Sequence, residues 1–477
     1  MVNFPIARSL VLALFLVSAS CAVGPDYRPP SIAVAPAWLE AWNTGIDTRP
    51  VDLSRWWTEF NDPKLNSLVD RAVQANLDLA MAQARIREAR GQLGAAGAEF
   101  WPTVDAAASY SSIRTSENAF AAGQLAPQGG GSLEQNLYRT GFDSSWEVDV
   151  FGGTRRRVEA AQAIVDAALE DRRGVLVTLL GEVAKNYIDV RALQRRLAIA
   201  QANLKAQRDL LALTKVRFEA GLASDLDVAQ AEGQAQTTAA QIPTLESALT
   251  TTVYRLDVLL GAQPGVLKSE LAEPAMIPAL PPRAQVGLPV ELLRRRPDIR
   301  NAERQLAAAT AQVGAATADL YPKFSLTGAF GLQSISASDW LVGRSRFWSI
   351  GPTITWPVFD AGKIRANIEI RNAQQEQALR LYEKSLLTGL ADVESALVNY
   401  SKEQTRYRSL LEAVSANQRA MSMAEDLYTQ GLVAFLNVLD AQRSVFASES
   451  DLAQSEASLA ANLVALYKAL GGGWDIP

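Results

Sequence analysis

Histidine is missing from all 477 residues, and cysteine occurs once, at Cys21. The first absence removes the commonest general base and metal ligand. The second rules out intramolecular disulfides and cysteine-rich zinc sites. There is no Walker-type phosphate loop and no nucleophile placed beside a base, so no enzyme, metal or other cofactor is expected. Excess positive charge is also lacking: the net charge is −5, which leaves no electrostatic footprint for nucleic acid. After the N-terminal leader no apolar run reaches about 18 residues, so no transmembrane helix is expected. The residues that are present, 48% hydrophobic and 20% charged, suffice for a large core without broad disorder.

The chain states one unit twice. Gly94-Ala95-Ala96, Trp101-Pro102, Trp146, Val148, Gly152, Arg155, Gly221-Leu222, Leu226 and Val228 return as Gly314-Ala315-Ala316, Tyr321-Pro322, Trp356, Val358, Gly362, Arg365, Gly431-Leu432, Leu436 and Val438. The offset is 220 up to the prolines and 210 from the tryptophans onward. That period is too long for a solenoid, so two copies of a domain packed side by side are expected. A loop between the prolines and tryptophans absorbs the ten-residue change.

Residues 1–20 read as a signal peptide: Arg8 supplies charge, Leu10 to Val17 an apolar stretch, and Ser18-Ala19-Ser20 a small-residue approach to Cys21. The end of this leader resembles a bacterial lipobox, with Ser18 where leucine is usual. That implies Cys21 acylated, palmitate included, and outer-membrane sorting, since no aspartate follows it. The competing reading is a soluble secreted protein with an incidental cysteine.

A membrane role must then come from strands. Tyr138, Thr140, Phe142, Ser144, Trp146, Val148 and Val150 alternate with Arg139, Gly141, Asp143, Ser145, Glu147 and Asp149, and Val104, Ala106, Ala108 and Tyr110 alternate with Asp105, Ala107, Ser109 and Ser111. In the second copy Phe324, Leu326, Phe330 and Leu332 oppose Lys323, Ser325, Thr327 and Gln333, and Trp348, Ile350, Ile354 and Trp356 oppose Ser349, Gly351, Thr353 and Thr355. This is period two, in strands of about ten residues, the length a tilted strand needs to cross a bilayer. A half-buried sheet of a soluble protein would alternate likewise. Four strands cannot close alone in lipid, since single-chain barrels begin at about eight. Spanning therefore requires an oligomer: a trimer supplies twelve strands, a dimer eight, a tetramer sixteen.

Between the hairpins the apolar steps change to threes and fours. Gly153 to Phe218 contains no proline and carries a seam through Val158, Val165, Val175, Leu179, Val183, Tyr187, Val190 and Leu197. At about 1.5 Å per residue such a helix is roughly 100 Å long, and Gly362 to Gln430 matches it. Shorter helices are expected over Leu65 to Glu99, Ser224 to Leu260, Pro289 to Leu320 and Ala434 to Leu470. The expected organisation is signal peptide 1–20, belt segment 21–63, first repeat 64–261 with hairpin 103–150, Pro-rich belt linker 262–288, second repeat 289–470 with hairpin 323–358, and C-terminal belt 471–477. The fold class is mainly α, a long helical barrel with a small membrane β part, internally duplicated. A soluble coiled-coil bundle is the ordinary alternative.

Val23-Gly24-Pro25-Asp26-Tyr27, Trp146-Glu147-Val148-Asp149-Val150-Phe151-Gly152, Gly287-Leu288-Pro289-Val290-Glu291-Leu292-Leu293, Arg296-Pro297-Asp298-Ile299, Leu439-Asp440-Ala441-Gln442-Arg443 and Leu466-Tyr467-Lys468-Ala469-Leu470-Gly471-Gly472-Gly473-Trp474 occur in this order. Together, over nearly the whole mature chain, they resemble the outer-membrane efflux proteins, tunnel-forming lipoproteins that serve resistance-nodulation-division pumps. The resemblance implies a homotrimer with a twelve-stranded barrel in outer-membrane lipid and a twelve-helix tunnel through the periplasm. It also implies docking to a periplasmic adaptor and an inner-membrane transporter. A lipid-anchored periplasmic scaffold and a duct for type I protein secretion are the alternatives.

A gate is expected where each copy turns, at Gly221-Leu222-Ala223 and Gly431-Leu432-Val433, the tips that would also meet the adaptor. Asp225, Asp227, Asn437 and Asp440 are the polar candidates, because any of them facing a threefold axis forms a ring of like groups. Asp227 has a second reading as the capping-box partner of Ser224. The resemblance implies an aspartate, tyrosine and arginine latch; Asp227 and Tyr428 match it, while Val433 and Asn437 replace an arginine and an aspartate. Leu432, Phe435 and Leu436 are candidates for an apolar constriction. Arg294-Arg295-Arg296 reads as a solvated turn, and Trp38, Trp42, Trp56 and Trp57 as anchors of the N-terminal belt.

Overall fold

The proline-free seams become two helices of 67 residues each. The computed structural model describes residues 22–39, 46–47, 52–114, 116, 134–281 and 284–475; the signal segment, Cys21 and Trp42 lie outside the described residues. In chain order the elements are β1 (Ile46–Asp47), α1 (Pro63–Ala75), α2 (Leu77–Ala98), β2 (Thr103–Arg114), β3 (Glu134–Val148), α3 (Gly153–Glu219), α4 (Asp225–Leu259), β4 (Ala284–Gln285), α5 (Leu292–Arg295), α6 (Pro297–Ala318), β5 (Lys323–Ser334), β6 (Arg346–Thr355), α7 (Lys363–Thr429) and α8 (Phe435–Ala469). No described helix is long and apolar enough to cross a membrane. Two compact units divide the chain at boundaries inside helices: residues up to Pro30 with Arg87–Ala167 and Glu303–Leu381, and Ser31–Ile86 with Ala168–Ala302 and Tyr382 onward.

The first unit holds one antiparallel sheet, ordered β2-β3-β5-β6. Its registers, Val104↔Ser144, Phe142↔Phe330 and Phe330↔Trp348 among them, keep the four alternations in phase. One face therefore carries Val104, Tyr110, Phe142, Trp146, Phe324, Trp348 and Ile354, and the other carries Asp105, Arg139, Asp143, Glu147, Thr327 and Thr353. At Gly141↔Gly331 the strands approach closely: a Cβ on Gly141 would stand 2.5 Å from the carbonyl oxygen of Phe330. The Phe347 ring lies 3.0 Å from where a Gly331 Cβ would be, and Arg139 covers that ring at 4.9 Å. Aromatic cover thus replaces the missing side chains.

The second unit has the larger core, in which Trp38, Trp56, Trp57 and Phe60 pack with Leu65, Leu180, Leu256 and Leu463. β1 pairs in parallel with β4, joining the N-terminal segment to the Pro-rich linker. Trp38 Nε1 donates to the Gly287 carbonyl at 3.0 Å. Trp474 Nε1 donates to the Arg295 carbonyl at 2.7 Å, and the guanidinium groups of Arg173 and Arg300 lie over its ring at 4.4 and 5.3 Å.

Two expected helices are interrupted at equivalent points. Leu65 to Glu99 breaks at Asn76 (φ −65°, ψ 131°), and Pro289 to Leu320 breaks at Arg296 (φ −76°, ψ 117°). Asn76 Nδ2 donates to the Leu259 carbonyl at 2.9 Å, and Arg296 donates to the Ala469 carbonyl at 3.0 Å. Donors 220 apart thus meet acceptors 210 apart, the same stitch made twice. Gly261 (φ +65°) and Gly471 (φ +74°) end the two returning helices against the carbonyls of Ala75 and Arg295, where a Cβ has no room. Of Arg294-Arg295-Arg296, read as a solvated turn, Arg294 is exposed as expected but Arg296 is not. Arg296 is buried, pairs with Asp298 at 2.7 Å and Asp392 at 3.0 Å, and is part of the joint.

Candidate functional site

In the second unit both long helices end alike. Gly221 (φ +73°) and Gly431 (φ +74°) adopt the left-handed conformation, and Leu222 N–H donates to the Arg217 carbonyl at 2.7 Å as Leu432 N–H does to that of Leu427 at 2.9 Å. These are paired Schellman closures. Beyond them the copies diverge. The Ser224 hydroxyl accepts from Asp227 N–H at 3.2 Å, and the Asp227 carboxylate accepts from Ser224 N–H at 2.9 Å and from its hydroxyl at 2.8 Å. Of the two readings of Asp227, the capping box is thus formed. Ala434 begins α8 with no side-chain cap.

A small apolar core lies behind the turns. Tyr428 meets Phe435 edge to face at 5.6 Å, among Ala231, Val438 and Leu439. Phe435 is only 2% exposed; expected in an apolar constriction, it is instead interior, because its face of the first α8 turn packs on Tyr428. Leu222, Leu432 and Leu436 stand outward, as do Gly221, Gly431, Asp225, Asn437 and Asp440, while Ala223 and Val433 are half-buried. Asp440 approaches Arg443 at 3.8 Å, and Arg443 Nε donates to Gln234 at 2.7 Å, tying α8 to α4.

Sequence reasoning missed Arg217. Its guanidinium lies 4.7 Å over the Tyr428 ring and donates to the Thr429 carbonyl at 3.4 Å. An arginine thus reaches the tyrosine from the other copy, although Val433 stands where the latch pattern has one. Its position in the last turn of α3, where a cation is favoured, was the available signal. Among the described residues no cluster could hold a metal ion.

In the first unit the motif after Cys21 is a mount. Val23 N–H donates to the Phe151 carbonyl at 3.1 Å, and Tyr27 donates to Glu303 at 3.0 Å. Arg156, buried, donates to the Val23 carbonyl at 3.3 Å, to Asp26 at 2.6 Å and to Glu159 at 2.8 Å. Its guanidinium holds the Asp26 carboxyl below the usual carboxylate range. Gly152 (φ +81°) packs against Ala22, the residue following Cys21, with a Cβ position 2.7 Å from the Ala22 Cα.

Aromatic side chains gather at both ends of the sheet. Tyr110 and Tyr138 lie 4.9 Å apart, and Tyr138 and Trp340 5.7 Å. At the other end Phe151 stacks on Tyr321 at 4.6 Å, and Trp146 and Trp356 donate to the carbonyls of Phe100 and Leu320 at 2.8 and 3.0 Å. From Tyr138 to Trp146 the strand rises about 27 Å at about 3.4 Å per residue, close to the roughly 25 Å apolar band between aromatic girdles of membrane barrels.

An amphipathic sheet with aromatic ends and, among the described residues, two open edges, in a chain with 67-residue helices, fits one class of protein: those that build a wall through a membrane from strands. The family model described as outer membrane efflux protein matches residues 68–262 and 288–472, and the chain belongs to that family. It is 32% identical over 465 residues to nodulation protein T of Rhizobium leguminosarum bv. trifolii, covering 96% of each chain. It is 33% identical to the solvent efflux pump outer membrane protein SrpC of Pseudomonas putida, covering 98% of this chain and 99% of that one. The solved outer-membrane channel OprN superposes with a TM-score of 0.88 at 37% identity, covering 95% of this chain and all of that one. The open-state MtrE outer membrane channel of Neisseria gonorrhoeae gives 0.79 at 27% identity, over 95% and 99%. The protein is an outer-membrane efflux duct, not an enzyme.

Proposed function

We propose that this duct is a homotrimer serving as the passive exit of a tripartite pump that expels small organic molecules. One observation carries the reading: four in-phase strands present one apolar and one polar face while, among the described residues, the outer edges of β2 and β6 are unpaired. Open edges do not persist in lipid and a barrel begins at about eight strands, so several copies must close the sheet together, and among eight, twelve or sixteen strands the family resemblance favours the twelve of a trimer. Polar faces then line water and apolar faces meet lipid. The tip residues Gly221, Leu222, Ala223, Gly431, Leu432 and Val433 receive a periplasmic adaptor, which connects the duct to an inner-membrane resistance-nodulation-division transporter that supplies the energy. Cys21 carries the lipid; the packing of the next residue, Ala22, against Gly152 just after β3 supports an anchor near the membrane boundary. Asp440 with Asn437, Asp225, Leu432 and Leu436 forms the gate, while Asp227, Tyr428 and Phe435 hold the tips in shape.

The test is conductance. Protein purified in detergent should form trimers that open steps in planar bilayers, and restoring the gene to a strain lacking its duct should restore tolerance to organic solvent. Trimers that never conduct would return the chain to the scaffold alternative.

A further inference from the structure

We infer that the connection between β5 and β6 carries a binding site for the phosphate of an outer-leaflet lipid headgroup, formed by Arg344 and Arg346, with Leu341 entering the acyl layer. This rests on the duct reading above and assigns that duct a lipid ligand of stated chemistry.

Helices α2, α3, α6 and α7 all join the sheet at one end, beside Thr103, Val148, Lys323 and Thr355. The hairpin ends at Arg114, Glu134, Ser334 and Arg346 are therefore the outer ones in a duct whose helices lie in the periplasm. On the apolar face the described strand positions carry only three charges, Arg114, Glu134 and Arg346, all at this outer end. Arg114 and Glu134 pair at 3.1 Å. Arg346 lies two residues, about 7 Å, beyond Trp348 on the same row, and among the described residues no carboxylate pairs with it or with Arg344. An arginine on a lipid face belongs at the headgroup level, where its charge needs an anion. The headgroup layer supplies it.

The connection is shaped for that ligand. Trp340 meets Tyr138, a residue of the apolar face, at 5.7 Å, so the segment leans over the lipid side of the sheet. Its own hydrogen bonds then close the turn. The Ser345 hydroxyl donates to the Asp339 carbonyl, Ser345 N–H to the Val342 carbonyl at 3.0 Å, and Arg346 Nε to the Gly343 carbonyl at 2.8 Å. Within this turn Leu341 stays 71% exposed, and on the adjoining strand Trp348 is 74% exposed. Asp339, the one acid of the connection, contacts Ser338 at 3.5 Å, which leaves two guanidinium groups against one carboxylate. Guanidinium forks match phosphate oxygens, and an outward leucine beside them in sequence matches an acyl chain. A free anion would have no use for the apolar part.

Titration of the full-length protein, purified in dodecyl maltoside, with diphosphoryl lipid A and readout by native mass spectrometry tests the site. Arg344→Gln and Arg346→Gln should each weaken the apparent affinity about fivefold and the double variant about 25-fold, while Lys402→Gln with Arg419→Gln, which removes the same charge from exposed positions of α7, should change it less than about twofold. Undiminished binding by the double variant, an equal loss in the α7 control, or equally tight binding of phosphatidylglycerol overturns the phosphate site. Displacement of lipid A by inorganic phosphate at equal concentration overturns the lipid as its source. A trimer that conducts but fails these tests leaves the duct standing without this ligand. A chain that neither assembles nor conducts overturns duct and site together.

Discussion

Ser224 and Ala434 occupy equivalent positions, yet only the serine caps its helix. Losing a cap costs about 1 kcal/mol, so Ser224→Ala should destabilise the first tip by that amount and Ala434→Ser should strengthen the second by about half to all of it. Amide exchange in the opening turns of α4 and α8 reads both: faster at Asp227 and Val228 in the first variant, slower at Asn437 and Val438 in the second. Unchanged exchange in both would show that the surrounding packing, not the caps, holds these turns. Tyr187 is a second single-residue test. Burial first, and then donation to Asp62 at 2.7 Å, push its hydroxyl up to about 12. A raised value favours the neutral phenol in the folded chain, so this contribution is complete below about 10, the ordinary tyrosine value, and is lost as pH rises through about 12. Tyr187→Phe should flatten the alkaline fall in melting temperature between those limits, and an identical fall in the variant would assign it to other groups.

At the scale of elements, the joint depends on side chains that reach across the chain. Asn76 both accepts from Leu79 N–H at 3.0 Å and donates to the Leu259 carbonyl at 2.9 Å. Asn76→Ala removes a cap and leaves a carbonyl unpaired, a loss of about 2–3 kcal/mol in thermal or denaturant unfolding. Asn76→Asp keeps the acceptor and loses the donor, so it should fall between alanine and the parent; equal effects of the two substitutions would mean that the cap contributes nothing beyond the donated bond. This stitch was hidden in the sequence because the apolar periodicity of Leu65 to Glu99 runs straight through Asn76, and the partner that stabilises the break lies 183 residues away. The strands were legible for the opposite reason: period two has one reading per residue, and Val104 to Trp356 show it without help from distant contacts. The tip was legible in part. Gly221 and Gly431 announce their turns through backbone freedom, but a helical period cannot tell a side chain facing a lumen from one facing a neighbouring helix, so Phe435 and Tyr428 read as gate residues and pack as core.

At the scale of the whole molecule, the symmetry of the proposed trimer would turn one exposed carboxylate into three. Asp440 is exposed, and its contact with Arg443 is 3.8 Å between side chains 63% and 53% accessible, a separation and exposure at which an ion pair contributes about 0–1 kcal/mol. Packing at the tip therefore does not depend on that pair, and the consequence of Asp440 should appear in the ions rather than in the fold. Three carboxylates around a narrow axis repel one another and concentrate cations. Asp440→Ala should keep the trimer and its melting temperature while lowering the preference for potassium over chloride in bilayer reversal potentials. Arg443→Gln separates this ring from a latch: if the Arg443 to Gln234 bond held the tips shut, that variant alone would raise conductance, whereas a ring effect leaves its conductance near the parent value and slightly raises cation preference. Reversal potentials unchanged by Asp440→Ala would place its carboxylate away from the axis and leave the outward-facing Leu432 and Leu436 as the narrowing elements, which Leu436→Ser would then widen.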